Sequence, residues 1–232
     1  MAKWTTEKML EELKTLLGGQ LVSVVLYGSA AAGDHAGKNS DINLLVVTKT
    51  LMPRELLALS KAVVPWTRQG NPPPLFLTQK QVKHAPDVFP IEILDIQHNH
   101  QVLHGPDPVK GLKVSHGDLR VELEHEFRGK LTRLKTRFML TEARPSQVEK
   151  LMVESLSTFL VLFKSALWLY GIKPSPHKME SLRALKEHIA FDEEPFETVD
   201  RLKRGEKIRD LNVLVLFEKY LNSIEAIIDN VK

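Results

Sequence analysis

The stretch that decides the fold is Leu26-Tyr27-Gly28-Ser29, followed after eleven residues by Asp41-Ile42-Asn43-Leu44. The first piece closes Leu21-Val-Ser-Val-Val-Leu-Tyr27, a β-branched run of strand length. Gly28 lets the backbone come close to a bound group, and Ser29 adds a hydroxyl donor. A strand that ends in Gly-Ser ahead of a short helix turns its amides and the positive helix end toward one point, which suits a triphosphate. The second piece opens a further strand, predicted over 41–47. Residues 41 and 43 are two apart on it, so their side chains share a face. Two oxygen-bearing side chains beside a phosphate cradle form half of a Mg²⁺ site. An Asp and an Asn entering an apolar strand are costly unless they meet polar partners, so the pair also marks a polar cleft. Taken singly, Gly28-Ser29 also reads as an ordinary capped turn, and Asp41 as a strand-end carboxylate paired with a lysine.

Working outward, residues 5–17 carry Met9, Leu10, Leu13, Leu16 and Leu17 at helical spacing, with Thr5 or Thr6 as the cap and Gly18-Gly19 as the stop. A helix is predicted over 53–64, opened by Pro53 and closed by Pro65. Short strands are predicted at 75–78 and 90–96. On a strand, Glu92 and Asp95 face opposite sides, so at most one of them can serve the Asp41 face, and either also reads as a solvated strand-end carboxylate. His104-Gly-Pro-Asp-Pro-Val-Lys-Gly111 reads as a linker. Beyond it, helices are predicted near 117–142, 146–170, 178–189 and 207–231, with a short one around 194–203. The broad apolar stripe from Leu151 to Tyr170 suits a bundle core. The predicted organisation is an α/β domain over 1–110 followed by an all-α domain over 111–232.

The 232 residues, 43% hydrophobic and 26% charged, match a folded globular chain rather than a disordered or fibrous one. A net charge of +3 is too small for a dedicated nucleic-acid binder. The absence of cysteine excludes disulfides and thiolate chemistry. The polar amino terminus and the lack of a long apolar run predict a cytoplasmic protein. His98, His100 and His104 cluster, and are read as solvated or packing residues rather than zinc ligands.

The pattern of a hydrophobic residue, Gly-Ser, a gap of about ten, then Asp-hydrophobic-acid-hydrophobic on a strand resembles the nucleotidyltransferase superfamily that includes DNA polymerase β. The nearer likeness is to its small bacterial members, the kanamycin nucleotidyltransferase and minimal nucleotidyltransferase types. The resemblance covers about the first hundred residues and implies an α+β fold: a small mixed β-sheet domain followed by a helical bundle. It implies Mg²⁺-dependent transfer of a nucleotide from ATP or another NTP to a hydroxyl on a small molecule or a protein. In that reading Asp41 and Glu92 are the catalytic carboxylates and Gly28, Ser29 and Asn43 hold the nucleotide. The metal ligands are Asp41, Asn43 and Glu92. Homo-oligomerisation stays open.

Two positions depart from the family pattern. Asn43 stands where active members have Asp or Glu, and Ala32 where many carry Arg. Losing one carboxylate beside two dications weakens such a centre by several kcal/mol in a low-dielectric cleft. The alternative reading is therefore a catalytically silent nucleotide-binding or interaction module of the same fold. Arg120 to His125 and Arg183 to His188 are also similar to strings in HEPN-type helical ribonucleases, at a frequency that chance accounts for.

Overall fold

The computed structural model describes residues 4–28, 30–31, 42–175 and 177–231. It divides into two compact units, Met1–Asp118 and Leu119–Lys232. The first is a small mixed sheet with helices on both faces; the second is helical.

In the first unit, helix α1 (Thr6–Leu17) is capped by the Thr5 hydroxyl, which accepts from the Lys8 amide at 3.3 Å. Strand β1 (Leu21–Tyr27) follows, then β2 (Asn43–Thr48), α2 (Pro53–Thr67), β3 (Leu75–Thr78), α3 (Gln79–Val88), α4 (Pro90–His98) and β4 (His100–His104). The sheet order is β3-β2-β1-β4, with β1 antiparallel to both β2 and β4, and β2 parallel to β3. Alternation along β1 and β2 feeds two cores. Val24, Leu44 and Val46 pack with Met9, Leu13 and Trp66 of α1 and α2. Val25, Leu45 and Val47 pack on the other face with Val82, Ile93 and Ile96 of α3 and α4. Each such buried side chain contributes about 1.5–3 kcal/mol.

Three predicted features differ from what forms. Residues 90–96 are not a strand: they make α4, and the strand is His100–His104. The isoleucines that favour a strand by propensity instead put Ile93 and Ile96 on one helical face against the sheet, and Pro90 takes the first helical turn where a missing N–H costs nothing. Helix α2 runs through Pro65 to Thr67, because Trp66 is fully buried in its last turn and its indole N–H donates to the Pro72 carbonyl at 2.8 Å. The glycine- and proline-rich stretch after His104 is not a free linker. Val109 is buried in the core, with Leu112 and Val114 packed beside it. The Gln97 side chain donates to the carbonyls of Val109 and Leu112, both at 3.0 Å.

The helical unit holds most of α5 (His116–Met139), then α6 (Pro145–Ala166), α7 (Lys178–Lys186), α8 (Glu194–Lys203) and α9 (Val213–Asn230). Helix α6 is its centre and packs against α7, α8 and α9. Together with the turn to Tyr170 it is long and apolar enough to cross a membrane, but 56% of its most apolar window is buried inside the unit. Phe196 lies edge-on to Phe163 at 5.4 Å and to Tyr220 at 5.2 Å. The Tyr220 hydroxyl shares a 3.1 Å hydrogen bond with Ser155.

Two outcomes follow from this packing. Gly105 has φ +72° and an added Cβ would lie 1.9 Å from the Val22 carbonyl oxygen, a backbone atom that cannot yield. Gly105→Ala is expected to destabilise the first unit by more than about 3 kcal/mol, read from urea unfolding. Burial pushes the Tyr220 phenol well above its ordinary value. The folded chain then keeps a proton that the unfolded chain loses, so stability falls as pH rises above about 10. Urea melts between pH 8 and 11 should show that decline, with a smaller slope in Tyr220→Phe.

Candidate functional site

The carboxyl end of β1 and the amino end of β2 meet at one edge of the sheet. Asn43 opens β2 directly opposite Tyr27, and Tyr27 is flanked on its other side by His100 of β4. Directly opposed residues project to the same face, so Asn43, Tyr27 and His100 form a polar row across three strands. The row continues the face of Val25 and Leu45, at the point where the apolar layer under α3 and α4 stops.

Gly28 follows Tyr27 with φ +80°, a conformation that favours glycine. Its N–H donates to the Asn99 carbonyl at 3.0 Å, and its carbonyl accepts from Ala31 N–H at 3.1 Å. A Cβ at Gly28 would sit 3.2 Å from Asn43 Nδ2. The space beside the glycine bend is therefore bounded by the β2 side chain, and any larger residue at position 28 would press on Asn43. Ser29 and Asp41, the other two members of the motif, lie outside the described residues, as does Ala32.

Glu92 sits on α4, exposed, and not on a strand. The helix changes its relation to Asp95: three apart on a helix, the two carboxylates share a side instead of opposing each other. The Tyr27 phenol registers both. It is raised above its ordinary value by burial first, then by the negative charges of Glu92 and Asp95. Next to it, His100 Nε2 lies 3.1 Å from Asp107 Oδ2. Burial by itself raises the Asp107 carboxyl, but the His100 contact and the amides of Val109 and Lys110 outweigh it and hold that carboxyl low.

Sequence reading missed Tyr27, Asp95 and the His100–Asp107 pair. Tyr27 was legible as the residue adjoining Gly28. Asp95 needed the helical period, and Asp107 needed the folded-back segment after β4. A further group lies in the helical unit. The half-buried Lys178 amine is lowered by desolvation first, then by the charges of Lys203 and Lys164. Lys203 Nζ also contacts the Ser157 hydroxyl. Three cations drawn together in this way suit an anion. The three stand on α7, α8 and α6, so no linear motif announces them.

Among the described residues, no three His, Asp or Glu side chains converge on a cation-sized point. The donor beside the bend is the neutral Asn43. Asn43 offers a carbonyl oxygen to a cation but brings no negative charge.

Residues 6–102 match the family model described as "Nucleotidyltransferase domain". They form a nucleotidyltransferase domain. No protein of curated function shows significant sequence similarity to the chain. Among solved structures, the chain is similar to the spectinomycin adenyltransferase AAD(9) from Enterococcus faecialis, determined with ATP and spectinomycin. The TM-score is 0.60 at 13% identity, covering 95% of this chain and all of that one. At that identity the likeness establishes the fold: a nucleotidyltransferase domain followed by a helical region.

The Tyr27 titration offers a direct check on the site. Replacing Glu92 by Gln removes one of the charges facing the phenol, so the Tyr27 pKa should fall relative to wild type while Tyr170 and Tyr220 stay unchanged. Carbon-13 NMR of the tyrosine ring carbons reads all three. An unmoved Tyr27 would take Glu92 out of the site.

Proposed function

We propose that the chain transfers a nucleotide from ATP or another nucleoside triphosphate to a hydroxyl of a small-molecule acceptor. The observation that carries this is the left-handed Gly28 bend with Asn43 beside it, within the nucleotidyltransferase domain. The neighbour bound to ATP and spectinomycin supports ATP as donor and a small alcohol as acceptor. The Gly28 backbone and Ser29 would receive the triphosphate, with Asp41 and Glu92 as the catalytic carboxylates. One Mg²⁺ ion held by Asp41 and Asn43 would neutralise phosphate charge. Tyr27, kept protonated by burial and by its acidic neighbours, serves as a hydrogen-bond donor at the same edge.

The neutral Asn43 favours a second reading, a protein that binds nucleotide without turning it over. Calorimetry with ATP separates the two. Transfer chemistry requires Mg²⁺-dependent binding, weakened at least about tenfold (about 1.4 kcal/mol) in Asp41→Ala. It also requires that Asn43→Asp raise the rate of pyrophosphate release from ATP. Metal-independent binding that Asp41→Ala leaves intact supports the silent binder. Failure of ATP, GTP, CTP and UTP alike to bind removes both readings.

A further inference from the structure

The helical unit contains a cavity whose chemistry is independent of the nucleotide reading. It lies between α5 and α6 and has a volume of about 250 Å³. On α5, Lys130, Arg133, Leu134 and Arg137 recur at helical spacing and present one face. On α6, Leu151, Glu154, Ser155, Thr158 and Phe159 do the same. The floor is apolar: Leu134, Leu151 and Phe159 are all buried. The rim is cationic, and its charges are unequally satisfied. Lys130 pairs with Glu126 at 3.0 Å, and Arg137 is taken by Glu154. Arg133 has no ionic partner among the described residues. Arg133 lines the cavity from α5 and Thr158 lines it from α6, and both residues are exposed.

An unpaired planar fork of donors, a hydroxyl in the same lining, a carboxylate already taken by Arg137 and a greasy floor make a definite recognition pattern. The fork matches the two oxygens of a phosphate or carboxylate, and the floor accepts hydrocarbon. A volume below the usual range of about 300–1,000 Å³ for ligand pockets limits the occupant to a small molecule. We propose that the α5–α6 cavity binds a small organic oxyanion with an apolar body, its head on Arg133 and Thr158 and its body on Leu134, Leu151 and Phe159.

Methyl NMR of the full chain titrated with phenyl phosphate, phenylacetate and inorganic phosphate tests this. Phenyl phosphate or phenylacetate should shift the Leu134 and Leu151 methyls saturably, and whichever binds tighter tells whether the head is phosphate or carboxylate. Inorganic phosphate should bind at least about tenfold more weakly, because it leaves the floor unused. Arg133→Gln should weaken the organic ligand about tenfold or more, and Thr158→Val severalfold. Both positions are exposed, and thermal melts matching wild type confirm that the variants fold. Four results overturn the proposal: no saturable shift at Leu134 and Leu151, equal affinity in Arg133→Gln, inorganic phosphate binding as tightly as the organic probes, or shifts confined to the surroundings of Lys178 and Lys203.

Discussion

Strand β1 carries the constraint on which the first unit depends. It is hydrogen-bonded along both edges, to β2 and to β4, and covered on both faces by α1 and α2 on one side and by α3 and α4 on the other. A strand held on four sides cannot slip in register without exposing apolar residues on both faces at once. Its last residue is therefore fixed in space, and so is the glycine bend that follows. The bend is pinned again by the Gly28 amide on the Asn99 carbonyl, which couples its position to the start of β4. Asn43 and His100 reach their places because they are the register partners of Tyr27.

Much of this was legible in the chain. The β-branched run ending in Gly28 fixed β1, and the two-residue period from position 41 placed Asn43 on the face that meets the bend. The helices of the second unit follow from periodicity and from breaks at Pro145 and Gly171. What was illegible depended on contacts distant in sequence. The segment Pro90-Ile-Glu-Ile-Leu-Asp-Ile96 satisfies a strand pattern and a helix pattern equally in seven residues, and only the sheet beneath it decides in favour of the helix. That choice altered the site, because it brought Asp95 to the same side as Glu92. Likewise, the stretch after His104 has a linker's composition, yet Val109 and Gln97 hold it in place.

The electrostatics of the two units differ in kind. In the first, the charges of Glu92 and Asp95 on α4 raise the Tyr27 phenol at the sheet edge, and Asp107 lies against His100 beside it. In the second, cations collect: Lys164, Lys178 and Lys203 in one group, Arg133 in another. Replacing an acid by Asn at position 43 lowers the negative charge where a metal would need it most, while leaving an amide able to hydrogen-bond the bend.

The outer strands of the sheet bear on how the molecule behaves in a crowd. β3 has four residues and is preceded by Pro72-Pro73-Pro74; β4 has five and ends at Gly105, beneath the Val22 carbonyl. A second copy seeking to extend the ladder finds only a few backbone groups on either margin, and on one of them prolines that cannot donate. The brevity of these margins is a built-in guard against fibrous self-association, leaving the hydrophobic interior of the sheet sheltered.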